Sequence, residues 1–299
     1  MNLLSPGFCC FCDVWEIYKS SIKPQHYGNT DELQSDIIHF RKGYFIHMED
    51  INNALDIFGG DDAMKQAIMA HANEFLDTML DFKELMFYYS SAIRELRTKL
   101  EILDTEFELK YQRNPISSIQ SRLKSRISIM EKMNRKGWEI TTESIEQHLN
   151  DIAGVRVICS YVDDIYSIAD ALIRQNDIQL IEKKDYISNP KPNGYRSLHL
   201  IVSVPVYFAE STRRVKAEIQ IRTIAMDFWA SLEHQIKYKK QLSDPKNIAG
   251  QLKKCADIIT YTDILMQNIR QQIDDEQPEK SELDKIYDKL RKFDVPIGE

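Results

Sequence analysis

Between Phe75 and Phe107 ten apolar residues recur at alternating steps of four and three: Phe75, Met79, Phe82, Met86, Tyr89, Ile93, Leu96, Leu100, Leu103 and Phe107. A strand repeats every two residues and a helix every 3.6. The spacing therefore predicts one apolar stripe on a long helix, or on two helices with a break near Tyr88-Tyr89. The same rhythm returns at Ile248, Leu252, Cys255, Ile259, Thr262, Met266, Ile269 and Ile273. A repeat averaging 3.5 residues suits a narrow helix–helix seam better than a broad face on a globular core. Each seam needs a partner, either the middle of the same chain or another copy of it. Two long seams outrun what one small sheet can cover, which favours packing between copies.

The segment between the seams is mixed. Residues 155–161, 178–183, 197–208 and 213–223 are rich in β-branched and aromatic side chains and read as strands. Helical patterns occupy 116–136, 163–175 and 225–240. The last two strands are joined only by the polar Glu210, Ser211 and Thr212, which makes an antiparallel hairpin, so the sheet is mixed rather than fully parallel. Residues 1–60 hold no sustained period and several turn pairs, and residues 274–299 carry nine acids against five bases. The expected organisation is a loosely ordered extension over 1–60, one domain with flanking helices over 61–273, and a solvated charged tail over 274–299.

With 43% apolar residues the chain can bury a substantial core, but its net charge of −7 gives the whole surface no attraction for nucleic acid. Any phosphate must be held by a local cluster of bases, and general RNA binding is disfavoured. No stretch reaches the roughly 18 apolar residues of a membrane span. The opening MNLLSPGFCCFCDVW has no basic region ahead of its apolar residues, so it does not read as a signal peptide. Five cysteines, three of them clustered at Cys9, Cys10 and Cys12, form no disulfide framework and point to a reducing, cytoplasmic setting. No His or Cys follows the cluster at zinc-ligand spacing.

Chemistry concentrates at four places. In Lys216–Arg222, strand alternation puts Glu218, Gln220 and Arg222 on one face and Ala217, Ile219 and Ile221 on the other. A sheet with one wet face explains this pattern as readily as a site does. Asp151 stands at the entrance to the strand at 155–161, where an Asp can equally be a turn residue. Two acids on neighbouring strands can share Mg²⁺, which takes one or two carboxylates and completes its shell with water and phosphate. The loop Asn189-Pro190-Lys191-Pro192-Asn193-Gly194-Tyr195 is stiffened by two prolines and turned at Asn-Gly, and it presents an aromatic ring suited to a purine, with His199 following. The stretch 116–140, read as a helix over 116–136, holds six bases (Arg122, Lys124, Arg126, Lys132, Arg135, Lys136) against two acids. That local excess is what a polyphosphate needs, although charged helices are commonly just solvated.

Taken in order, Asn150–Arg156, Lys191–His199, Glu218–Thr223 and Ala225–His234, together with the basic stretch, resemble the synthetase domain of the RelA/SpoT family, over roughly residues 70–273. The chain looks like a small, single-domain alarmone synthetase. The resemblance implies an α+β fold: a nucleotidyltransferase-like mixed β-sheet flanked by helices, with long N- and C-terminal helices. It implies transfer of pyrophosphate from ATP to the 3′-hydroxyl of GTP or GDP. Asp151 and Glu218 would hold Mg²⁺, with Glu218 also placed to activate the acceptor hydroxyl and Gln220 beside the reacting centre. Arg122 and Arg156 would sandwich adenine, and Lys124, Lys132 and Arg135 would hold the ATP phosphates. Tyr195 would stack on guanine, with His199, Lys191 and Asn193 around the acceptor nucleotide. The family's hydrolase domain uses a His-Asp pair, which this sequence lacks, so synthesis without hydrolysis is expected. Small members commonly form homotetramers through their flanking helices, and some bind a regulatory nucleotide between subunits. The competing readings are another nucleotidyltransferase using the same acids and a catalytically silent nucleotide sensor or RNA-binding module. No Walker-type glycine loop is present.

Overall fold

The computed structural model describes residues 62–111, 113–238 and 245–275, with 286–287 and 289–290 beyond them. The extension at 1–60, its cysteine cluster and nearly all of the tail from residue 276 lie outside the described residues. By internal packing the chain divides after Glu74, and the unit from Phe75 onward carries the sheet and the site.

The first seam forms a single unbroken helix, α1 (Asp62–Tyr111), with no interruption at Tyr88-Tyr89. From Leu85 its stripe sinks into the chain's own core. Ala92, Leu96 and Leu100 are fully buried, and Tyr89, Ile93 and Leu103 nearly so. That half of the seam needs no second copy, which corrects the expectation of packing between copies there. The reason is that the sheet offers a full apolar face for the helix to cover.

The second correction concerns residues 116–136. They are not one helix but strand β1 (Ile116–Leu123) followed by helix α2 (Arg126–Lys136). A register shift between Ile116 and Ser118 reverses the alternation. Ile116 is thereby buried and Ile119 packs against the core, although they stand three apart, which imitates helical spacing. Ser125 then caps α2 by accepting a hydrogen bond from the Ser128 amide. Arg122 thus stands on a strand and Lys124 on the connection after it. The short helix α3 (Thr142–His148) leads to β2 (Ala153–Cys159). Next come α4 (Val162–Ile173), β3 (Gln179–Asp185), β4 (Leu198–Tyr207), β5 (Thr212–Thr223), α5 (Ile224–Tyr238) and α6 (Pro245–Asp275).

The strands form a mixed sheet in the order β1-β2-β5-β4-β3. β2 runs parallel to β5, and the other neighbours are antiparallel, including the β4–β5 hairpin that the sequence predicts. On β2 and β5 the odd-numbered residues Ala153, Val155, Val157, Ala217, Ile219 and Ile221 are at most 1% exposed and form one side of the core. The even-numbered residues Gly154, Arg156, Glu218 and Gln220 are half-buried on the opposite face. No described helix is long and apolar enough to cross a membrane.

α6 docks with its polar side. Thr223 donates to Asp263 at 2.8 Å, Gln267 donates to Asp163, and Trp229 Nε1 donates to the Leu252 carbonyl at 2.8 Å. Arg270 lies 3.7 Å from the fully buried Asp164, which also pairs with Arg113 at 2.6 Å. Its outer side leaves Ile258, Tyr261, Ile264, Leu265, Met266, Ile269 and Ile273 exposed.

Candidate active site

The wet face of the sheet is ordered by register. Directly opposed residues share a face, so Gln120, Arg156, Gln220 and His199 form one rank across β1, β2, β5 and β4. The neighbouring rank brings Arg122, Gly154 and Glu218 together. Gly154, lacking a side chain, leaves space beside Glu218. The result is a cavity of about 330 Å³ lined by Arg122, Lys124, Asp151, Arg156, Glu218 and Gln220, among others. That volume falls at the lower end of small-molecule sites.

Asp151 closes one end. Lys124 Nζ donates to its Oδ2 at 2.7 Å and Lys132 Nζ to its Oδ1 at 2.9 Å. Burial pushes the Asp151 carboxyl up, but the two ammonium groups outweigh it and hold its pKa below the ordinary value. Glu218 behaves alike with different partners. Burial raises it, while the hydrogen bonds from His199 and the Gln220 amide bring the balance below the ordinary value. Gln220 Nε2 donates to Glu218 Oε2 at 3.0 Å.

The loop over residues 189–195 is built on Gly194, whose φ of +90° suits glycine and whose Cβ, if present, would lie 2.5 Å from Ala256 Cβ on α6. Asn193 Oδ1 accepts from the Tyr195 amide at 3.2 Å and its Nδ2 donates to Glu233 at 3.0 Å, so Asn193 shapes the loop. Lys191 Nζ sits over the rings of Tyr186 and Tyr195, at 4.5 and 4.8 Å from their centroids. The Tyr195 hydroxyl lies 2.8 Å from His199 Nε2 and accepts from Arg222 Nη2 at 2.6 Å. An arginine can only donate, so the hydroxyl accepts there, and with a neutral His199 ring its own hydrogen points to Nε2. His199 then carries its proton on Nδ1, which donates to Glu218 Oε1 at 2.9 Å. A continuous polar chain thus runs from Arg222 through Tyr195 and His199 to Glu218.

The structure brings Asp151, Lys124, Arg122, Arg156, Glu218 and Gln220 around one cavity, joins Lys132 to it through Asp151, and joins Tyr195, His199 and Lys191 to it through Glu218. Arg135 stands apart, exposed in the last turn of α2. Arg222 and Asp227 are site residues that sequence reasoning did not select. Strand alternation already placed Arg222 on the face of Glu218 and Gln220, but its burial and its pairing with Asp227 at 3.1 Å emerge only from packing.

The acids suit a divalent cation. Both are held in the ionised form at one cavity, and the Asp151 charge pushes Glu218 up, a like-charge conflict that a cation would relieve. No group of three or more His, Cys, Asp or Glu side chains with metal-holding geometry occurs among the described residues. Two carboxylates completed by water and phosphate fit Mg²⁺ better than zinc.

Comparison with known proteins agrees with this geometry. Residues 121–243 match the profile described as "Region found in RelA / SpoT proteins". GTP pyrophosphokinase YwaC of Bacillus subtilis is 47% identical over 206 residues, covering 69% of this chain and 98% of that protein. The crystal structure of small alarmone synthetase 2 from the same organism superposes with a TM-score of 0.59 at 46% identity, covering 64% of this chain and 99% of that one. Small alarmone synthetase 1 of Bacillus subtilis, solved bound to its product pppGpp, gives a TM-score of 0.59 at 34% identity over 64% of this chain and 98% of that one. The same enzyme bound to AMPCPP gives 0.56 at 32%, over 65% and 98%. This chain belongs to the RelA/SpoT family, among its small alarmone synthetases.

Proposed function

We propose that the cavity transfers the β,γ-pyrophosphoryl group of ATP to the 3′-hydroxyl of GTP or GDP, the reaction for which its relatives are named GTP pyrophosphokinases. The observation that carries this reading is the pair of ionised acids at one cavity, each held by a different set of neighbours. The 3′-oxygen forms a bond to the β-phosphorus while the bond from that phosphorus to the oxygen bridging it to the α-phosphate breaks. AMP leaves with the electron pair.

The chain's own contribution is placement and charge. Arg122 and Arg156 face the cavity where a flat adenine would enter, and Lys124 and Lys132 are placed to receive phosphate oxygens once they release Asp151. Tyr195 offers its ring to guanine, with Lys191 beside it and Asn193 shaping the loop. Glu218 is placed to accept the hydrogen of the 3′-hydroxyl and take its proton as the new bond forms, with Gln220 and His199 fixing its orientation. Arg135, exposed at the end of α2, reaches the phosphates only at the cavity's rim. Mg²⁺ held by Asp151 and Glu218 would neutralise charge on the transferring group.

The assembly is a homo-oligomer, a tetramer by family resemblance, with the exposed apolar side of α6 as its seam. The free thiols Cys159 and Cys255 suit a reducing, cytoplasmic compartment.

The deciding experiment incubates the chain with γ-labelled ATP, Mg²⁺ and either GDP or GTP. Label on the guanosine nucleotide with equimolar AMP supports the reading. Released pyrophosphate would mean nucleotidyl transfer instead, and no turnover from folded protein would leave a nucleotide sensor. Glu218→Gln and Asp151→Asn are each expected to cost about 10²–10³ in kcat, as removal of one preorganised electrostatic group does.

A further inference from the structure

Arg222 is 4% exposed, yet every nitrogen of its guanidinium has a partner. Nε donates to Ser197 Oγ at 3.3 Å, Nη1 to Asp227 Oδ1 at 3.1 Å, and Nη2 to both the Tyr195 hydroxyl at 2.6 Å and Gln220 Oε1 at 2.7 Å. Its central carbon lies 5.1 Å from the Tyr195 ring centroid, so it touches both the face and the hydroxyl of that side chain. Asp227 Oδ1, the same oxygen that pairs with Arg222, also stands 3.3 Å from Arg156 Nη1. One carboxylate oxygen therefore serves two cations, one buried and one facing the cavity.

We propose that Arg222 is a positioning residue that couples the two nucleotide subsites, holding Tyr195 on the acceptor side and, through Asp227, Arg156 on the donor side. The inference rests on the assignment of Arg156 to ATP and of Tyr195 to the guanosine nucleotide. A purine stacking on Tyr195 moves or fixes the hydroxyl that Arg222 grips. Any displacement of Arg222 changes its share of Asp227 and with it the restraint on Arg156. A planar fork with fixed donor directions transmits such a shift, whereas a flexible ammonium would absorb it. Burial, together with the nearby Arg222 charge, lowers the pKa of Arg156, so the two cations sense each other directly. Coupling of this kind is reciprocal: each nucleotide changes the other's affinity by the same factor.

The test is equilibrium binding to the full chain of α,β-methylene ATP and of GDP, each alone and each with the other saturating. Wild type is expected to show a coupling factor of about fivefold or more, within the usual range for linked sites. In Arg222→Gln both separate Kd values are expected to rise about tenfold, the loss of hydrogen bonds to a charged donor, and the coupling factor to fall to one. Arg222→Lys, which keeps the charge but not the fork, is expected to recover affinity without recovering the coupling. Should Arg222→Gln not fold, Asp227→Asn serves, because it leaves Arg222 its other three acceptors while removing the shared carboxylate. Its coupling factor is expected to fall to one as well. A wild type without coupling, or a folded Arg222→Gln or Asp227→Asn that retains it, overturns the proposal. Arg156→Ala and Tyr195→Ala test the underlying assignments separately. The first should weaken only the ATP analogue and the second only GDP; if either fails to do so, it is the subsite assignment that falls.

Discussion

The two long helices carry the same apolar rhythm and use it in opposite ways. From Leu85 to Leu103, α1 turns its stripe inward and buries seven apolar side chains: Leu85, Tyr89, Ala92, Ile93, Leu96, Leu100 and Leu103. Among its described side chains α6 has one buried apolar residue, Ala256, and docks through Asp263, Gln267 and Arg270 while Met266, Ile269 and Ile273 of its stripe face out. The difference teaches that periodicity reveals a seam but not its owner. What decides is the surface on offer. α1 meets apolar sheet and helix, whereas α6 meets the polar ends of β5 and α4, where Thr223, Asp163 and Asp164 demand hydrogen bonds and charge. A helix docked by directional polar contacts is held in a defined position but adds little hydrophobic stability. α1 should therefore govern stability, and α6 the position of what rests on it, including the loop at Gly194 proposed to serve the acceptor.

Leu96→Ala tests the first half of that contrast and carries the largest expected effect. Leu96 is fully buried, so its loss should leave a cavity and cost about 2–5 kcal/mol, read from the denaturant midpoint. Substrate KM values of the folded variant should not change; a shift in KM would show that α1 also positions the site.

Asp164→Ala attacks the α6 latch. Its carboxylate is fully buried between Arg113 and Arg270, and its loss removes the charge that both guanidinium groups face, leaving Arg270 with Asp274 at 3.3 Å, at a cost of about 3 kcal/mol. Unlike Leu96→Ala, this variant should also raise the KM for the guanosine nucleotide, because a loosened α6 no longer supports the loop. Destabilisation with an unchanged KM would reduce the latch to a plain structural ion pair.

Gly194→Ala reaches the same contact from the loop side. A side chain there meets both an unfavourable positive φ and Ala256, so the loop must shift. The expected result is about a tenfold rise in acceptor KM with the ATP KM unchanged, equivalent to about 1.4 kcal/mol. Equal rises for both substrates would mean that the loop does not serve the acceptor alone.

The sequence carried different parts of this architecture with different clarity. The hairpin and the alternation of Glu218 and Gln220 against Ile219 and Ile221 were legible because one face of β5 is core and the other is wet. Strand β1 was not, because an edge strand exposed over most of its length displays little alternation, and its register shift sets Ile116 and Ile119 at helical spacing. In the site, Asp151, Glu218, Tyr195 and His199 stood out because they occur in compact, unusual strings. Asp227 did not, since an Asp in the first turn of a helix is ordinary; only folding carries it to Arg156 and Arg222. The outward face of α6 was legible as a seam, but not the polar side by which the helix docks.

The smallest expected effect concerns pH and again separates the helices by the chemistry of their docking. Asp263 sits at the α6 contact, where burial raises its pKa above the ordinary 3.8 against the opposing hydrogen bond from Thr223 and the charge of Arg196. A raised acid binds its proton more strongly folded than unfolded. Its contribution therefore disfavours the folded state at neutral pH, and stability is regained as pH falls through the folded pKa, completely by about the unfolded value. Asp151 and Glu218 act in the opposite direction, since their pKa values are lowered and their contribution is lost only below the ordinary carboxylate range. Asp104 on α1 is raised by burial like Asp263, but it is common to wild type and variant and cancels in their difference. The Tm of wild type minus that of Asp263→Asn should thus rise steadily as pH is lowered from 7 towards 4. The same difference measured for Leu96→Ala should stay flat, because a buried leucine has no proton to exchange. A flat profile for Asp263→Asn as well would mean that its carboxyl is not held against the sheet, and that α6 is positioned by Gln267 and Arg270 without it.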